Sequence, residues 1–143
     1  MLKGIDPVLG PDLLKVLREM GHGDEIAIVD GNYPAVAHAR RLVRMDGHSA
    51  TRIADAILSV MPLDDFVPDT AFRPGIKGNA EHREPVMLEF EAIVRRHEPA
   101  CRVVPLMGEA FYDRVRSAYA LVATGEERLY GNLVLRKGVV RPS

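Results

Sequence analysis

Apolar positions in this chain follow two rhythms that alternate from end to end. Leu13, Leu14, Leu17 and Met20 recur at helical spacing behind Pro11, a residue tolerated at a first helical position. They predict a helix from Pro11 to Met20, stopped by Gly21. Glu25-Ile26-Ala27-Ile28-Val29-Asp30 is instead a short apolar run, the pattern of a strand buried on both faces, and it ends in the turn-rich Asp30-Gly31-Asn32-Tyr33-Pro34. A second strand is expected around Leu42-Val43-Arg44. Ser49 is placed to cap a helix reaching about Val60, with Ile53, Ala54, Ile57 and Leu58 inward. Pro85 opens a further helix to about His97, with Val86, Phe90, Ile93 and Val94 on one face. Arg102 to Leu106 reads as a strand, Glu109 to Ala118 as a helix, and Ala120 to Ala123 and Asn132 to Leu135 as two more strands. Between Met61 and Glu84 prolines and glycines weaken the pattern. That stretch reads as a long surface excursion with a strand near Thr70-Ala71-Phe72.

Strands alternating with helices predict an α/β fold, with helices covering a largely buried sheet. The length of 143 residues suits one domain, 1–143, and no linker divides it. The single Cys101 supplies neither an internal disulfide nor a cysteine-rich zinc site, and reads as a small buried hydrophobe. Twenty acidic against 19 basic side chains leave a net charge of -1, without the basic excess of a nucleic-acid binder. No apolar run approaches the ~18 residues of a membrane span. Met1 to Pro7 carries no apolar signal core, so the cytoplasm is the expected compartment.

Candidate chemistry clusters at two places. In an open α/β sheet ligands bind beyond the carboxyl ends of strands, and Asp30 falls at such an end. His22, between Gly21 and Gly23, lies just before the same strand. On spacing alone the plainer reading is a histidine at a helix end and a turn-forming aspartate. Thr124 to Asn132 links two strands and holds a phenol, Tyr130, and a carboxamide, Asn132, both suited to sugar hydroxyls. Its plainer reading is a charged hairpin with a glycine turn. The glycines near His22 form neither GxGxxG nor a Walker loop, and His38, His48, His82 and His97 lack metal-ligand spacing. His97 is expected to serve the carbonyls ending its helix, and Arg40-Arg41 and Arg95-Arg96 read as solvated faces.

Two segments together carry a resemblance. LLKVLREMGHGDEIAIVD (Leu13 to Asp30) and AFYDRVRSAYALVATGEERLYGNLVLRKGV (Ala110 to Val139) resemble the family of L-fucose mutarotases and D-ribose pyranases, and the similarity runs from Leu2 to Val139. The joint occurrence, in this order, of Met-Gly-His-Gly-Asp-Glu-Ile and the Thr-Gly-Glu…Tyr-Gly-Asn run is far more specific than either alone. Tyr130-Gly131-Asn132, Ala110-Phe111-Tyr112 and Lys137-Gly138 lean toward the fucose branch, whereas the ribose branch usually carries Tyr-Ala-Asn.

The resemblance implies a three-layer α/β/α domain, like that of ribose pyranase, around a mixed or parallel sheet. It implies His22 as general acid and sugar contacts from Asp30, Tyr130, Gly131 and Asn132. The expected reaction is cofactor-independent exchange of the α and β anomers of a reducing monosaccharide, L-fucose or a related sugar. D-ribose pyranase activity and a non-catalytic sugar-binding protein accompanying a transporter are the alternatives. The resemblance further implies a ring-like homo-oligomer, often a decamer, with sites near subunit contacts. Phe66, Val67 and Phe72 suit either a subunit interface or a private core. Two positions depart from the fucose pattern. Gly31-Asn32 replaces Ala-His after Asp30, and Gly108, within Met107-Gly108-Glu109, replaces an arginine that contacts the sugar. Glu109 is the expected substitute for that contact.

Overall fold

The computed structural model describes residues 1–143. In chain order its elements are α1 (Pro11–Glu19), β1 (Glu25–Val29), α2 (Ala35–His38), β2 (Leu42–Met45), α3 (Ala50–Leu58), β3 (Ala71–Pro74), α4 (Pro85–His97), β4 (Val103–Leu106), α5 (Glu109–Ser117), β5 (Ala120–Thr124) and β6 (Leu133–Arg136). Local chemistry fixes several boundaries. Pro11 and Pro85 open α1 and α4, and the Ser49 hydroxyl accepts the Arg52 amide at 3.2 Å to cap α3.

One six-stranded sheet runs in the order β2-β5-β1-β6-β3-β4. It is mixed, because β6 lies antiparallel to both β1 and β3 while the other pairings are parallel. The two-residue period of the strands sorts the core into two layers. Ile26, Ile28, Ala120, Val122, Leu133 and Leu135 join the cluster built with α1, α3 and α4. Ala27, Val29, Leu121, Ala123 and Val134 face the other way, against Phe111 and Val115 of α5 and Ala35 of α2. The central strands are thus covered on both sides, as the three-layer expectation requires.

Several expectations change. The segment after β5 is not a hairpin: β5 and β6 are separated in the sheet by β1, so residues 125–132 cross over the carboxyl end of β1. Helix α2 escaped the pattern because it is four residues long and buries only Ala35. Phe72 belongs to the core, while Phe66 stands 62% exposed. The His97 imidazole reaches Asp55 of α3 at 2.7 Å instead of terminal carbonyls. Arg41 is not simply solvated, since its guanidinium lies over the Tyr119 ring. Cys101 is half-buried, at the edge of the larger cluster. No helix is long and apolar enough to cross a membrane.

Candidate functional site at the carboxyl end of β1

Asp30 follows the last residue of β1, and Asn132 precedes the first residue of β6. Antiparallel pairing of Ile28 with Leu133 brings these two ends together. The Asp30 amide donates to Asn132 Oδ1 at 2.8 Å. The Asp30 carboxylate accepts the amides of Asn32, at 3.0 Å, and of Gly131. Asp30 is only 7% exposed. Burial pushes its carboxyl above the usual range, against the opposing pull of these donors.

The crossover loop is built to present Tyr130 and Asn132. Thr124 Oγ1 donates to the Val29 carbonyl at 2.7 Å and accepts the Glu126 amide, and the Glu126 carbonyl accepts the Gly31 amide at 2.9 Å. Arg128 closes the loop by pairing with Glu126, whose carboxyl it holds below the ordinary range. Tyr130 adopts a left-handed φ of 63°, and a Cβ at Gly131 would stand 2.7 Å from Glu126 Cγ. An alanine between the phenol and the carboxamide would therefore require the Glu126 side chain to shift.

Beside this corner lies a cavity of about 130 Å3 lined by Tyr33, Gly108, Phe111, Tyr112, Tyr130 and Asn132, among others. Tyr33 also borders the adjoining hollow that Asp30 and Gly31 line. Four of the expected residues thus gather here: Asp30, Tyr130, Gly131 and Asn132. Gly108 joins them on the wall with φ 54° and ψ −131°. Glu109 does not replace the missing arginine. Its side chain is 76% exposed and lies 3.5 Å from Arg116, on the outer surface of α5.

His22 lies elsewhere. It precedes β1, next to Gly23, whose amide donates to the Lys137 carbonyl beyond the far end of β6. Five strand residues, roughly 16 Å of backbone, intervene before Asp30. Within one chain the imidazole and the Asp30 corner share no cavity. His22 Nε2 instead meets Asp64 Oδ1 at 2.9 Å, and its ring packs edge-on against Phe66 with centroids 4.6 Å apart. Asp64 is 1% exposed and also takes Arg136 Nε at 2.8 Å and the Phe66 amide at 3.0 Å. Burial alone would raise the Asp64 carboxyl, but Arg136, the Phe66 amide and His22 outweigh it and bring it down to about 2. An ionised carboxylate only accepts, so Nε2 carries the imidazole proton and Nδ1 is the nitrogen left open.

Sequence reasoning missed Asp64, which lies in the proline-broken stretch, and Tyr33, which reads as turn filling; Phe66 reads there only as an apolar residue suited to an interface or a core. The only signal was a Leu-Asp-Asp-Phe cluster too short to show periodicity. No three His, Cys, Asp or Glu side chains come together as a metal-ligand set. A wider cleft, about 630 Å3, opens beside Glu25, Arg40 and Arg114; Gly23 and Arg136 border it, but His22, Asp30, Tyr130 and Asn132 do not.

Known proteins share this arrangement of chain. The human fucose mutarotase is 39% identical over 145 aligned residues, which cover 97% of this chain and 94% of the human one. The fucose mutarotase of Streptococcus pneumoniae, whose crystal structure is a complex with L-fucose, superposes with a TM-score of 0.88 at 39% identity and covers 98% of this chain and 100% of its own. RbsD of Bacillus subtilis, solved with D-ribose, shares the fold at a TM-score of 0.72 and 20% identity, over 99% of this chain and 100% of its own. The model of the RbsD / FucU transport protein family matches residues 3–140, and on that span together with the human relative this chain belongs to the RbsD/FucU family.

Proposed function

We propose that this protein is a mutarotase that interconverts the α and β anomers of L-fucose or a closely related sugar. The observation that carries the reading is the buried Asp30 bonded to Asn132, which with Tyr130 lines a small tyrosine-walled cavity, in a chain 39% identical to a fucose mutarotase across nearly its whole length. Identity to the ribose-bound relative is half as high, at 20%, so the fucose branch is favoured over ribose pyranase.

The reaction is an isomerisation, so no electrons are gained or lost and no cofactor is consumed. The anomeric hydroxyl gives up its proton as the bond from the anomeric carbon to the ring oxygen breaks. A carbonyl forms, and the ring oxygen takes a proton. Rotation about the bond to the carbonyl carbon precedes reclosure on its other face, which runs the same transfers backwards. Asp30, Tyr130 and Asn132 offer acceptors and donors that hold sugar hydroxyls. His22 supplies the proton exchange through Nδ1, with Asp64 fixing the opposite nitrogen.

Because β1 separates His22 from the Asp30 corner, the working site is composite: His22 of one copy enters the cavity of another. The half-exposed imidazole and the exposed Phe66 beside it form a knob suited to that insertion. The expected assembly is a ring-like homo-oligomer such as a decamer, in the cytoplasm. Saturation-transfer NMR on L-fucose tests the reading. Anomer exchange should be accelerated by the wild-type protein and lost in His22→Gln. Binding without acceleration would point to a sugar carrier, and a dominant pyranose–furanose exchange on D-ribose to a pyranase.

A further inference from the structure

Tyr33 and Tyr112, which line the small cavity, belong to a network outside the residues assigned so far. Tyr33 OH lies 2.8 Å from His38 Nδ1, and His38 Nε2 lies 3.3 Å from Arg116 NH2. Tyr33 stacks on Tyr112 with centroids 5.7 Å apart, and the His38 ring meets both phenols edge-on. Gly108, which lines the same cavity, has no side chain to contribute.

The direction of these hydrogen bonds follows from one fact. A guanidinium only donates, so His38 Nε2 must accept from Arg116, and the ring proton sits on Nδ1. Nδ1–H then donates to the Tyr33 oxygen. The Tyr33 hydroxyl proton is thereby freed to point away from His38, toward an acceptor in the cavity. Burial and the Arg116 charge lower the basicity of His38, with Glu109 opposing, which keeps the imidazole neutral. Burial, with the neighbouring phenol of Tyr112, raises the Tyr33 phenol, so it stays protonated and remains a donor.

We propose that Tyr33 is a specificity-determining sugar contact, whose hydroxyl donates to an oxygen of the bound monosaccharide, and that His38 is a positioning residue that aims it under the control of Arg116. This rests on the mutarotase reading for its substrate. The acceptor is a neutral hydroxyl or ring oxygen, which a phenol can serve without desolvating a second charge.

The test compares L-fucose kinetics by saturation transfer with L-fucose binding by calorimetry. Tyr33→Phe keeps the stacking on Tyr112 and removes only the donor. It should raise KM and Kd about threefold to tenfold while kcat stays within about twofold. His38→Leu should give the same pattern, and combining it with Tyr33→Phe should add nothing, because both act through one hydroxyl. His38→Asn, which keeps an N–H near the Nδ1 position, should restore most of the affinity. Melting temperatures identify any variant that fails to fold, and His38→Asn then carries the comparison. An unchanged KM and Kd in Tyr33→Phe overturns the assignment, as does an additive double variant. If wild type binds L-fucose without exchanging it, the mutarotase reading fails while the Kd comparison still decides Tyr33. A wild type that does not bind L-fucose overturns both.

Discussion

Asn132 Oδ1 accepts the main-chain N–H of Asp30 at 2.8 Å, so one side chain joins two segments 102 residues apart in sequence. The contact satisfies a buried donor at the end of β1, and the same side chain hydrogen-bonds the Asp30 carboxylate. Asn132→Ala strands that N–H, which costs about 1–3 kcal/mol for an unsatisfied buried donor. The variant should melt at lower temperature and bind sugar more weakly. Asn132→Asp keeps the acceptor but sets a second buried carboxylate beside Asp30, and should lose both affinity and stability, the latter recovering as acid protonates the pair. Thermal melts and calorimetry check both.

The His22–Asp64 pair predicts a separation of roles. His22→Gln should lower anomer exchange roughly 10²–10⁴-fold, the span of one positioned acid/base group. Asp64→Asn leaves Arg136 with only the longer 3.9 Å contact to Glu25 and frees the imidazole to turn. It should lower both exchange and stability. The wild-type Asp64 carboxyl is held at about 2 against an ordinary 3.8. A group lowered on folding stabilises the native state above its unfolded value, and that contribution disappears as acid titrates the folded group. Stability from this cluster should therefore fall between about pH 4 and pH 2, and Asp64→Asn should flatten that part of a melting-temperature profile.

Much of this architecture was legible in the chain, for physical reasons that also mark where legibility stopped. Pro11, Ser49 and Pro85 signal helix starts through local backbone chemistry, and α1, α3 and α4 begin there. Runs such as Ile26-Ala27-Ile28-Val29 announce strands that are covered on both faces. The order of strands is a long-range property, and no local signal says that β1 slips between β5 and β6. Resemblance pointed to Asp30, Tyr130 and Asn132, and the fold brings them to one corner beside the end of β1. Their partnership with Tyr33 was hidden, since a tyrosine in a turn shows no periodicity. The distance of His22 from Asp30 follows from strand length, but its consequence for assembly needed the fold.

Asp30 carries a folding cost, which the proposed sugar contact would account for. Burial raises its carboxyl, so ionising it at neutral pH opposes folding. Asp30→Asn removes that cost while keeping an oxygen for the Asn32 amide. The variant should melt no lower than wild type at pH 7, and higher if no new unpaired donor forms. Exchange should nevertheless drop about tenfold to a hundredfold, the worth of a charge-assisted contact to a sugar hydroxyl. A stability gain with lost activity distinguishes a binding carboxylate from a structural one, which would show losses in both.

The separation of His22 from the Asp30 corner gives the sharpest test of a composite site. His22→Ala and Asp30→Asn are each expected to keep no more than about a tenth of wild-type exchange as pure assemblies. If a site draws His22 from one copy and Asp30 from another, co-expressed variants will regenerate intact sites wherever an Asp30→Asn copy presents its histidine to a His22→Ala copy. For random mixing at equal amounts in a symmetric ring, about a quarter of the sites are intact, so about a quarter of wild-type exchange should return. A site contained in a single chain predicts no recovery at any mixing ratio, because every chain would carry one lesion. Varying the ratio separates the cases, since recovery from shared sites peaks at equal amounts and vanishes at either extreme. Saturation transfer on the purified co-expressed assembly, with the subunit ratio measured by mass spectrometry, reads the result directly.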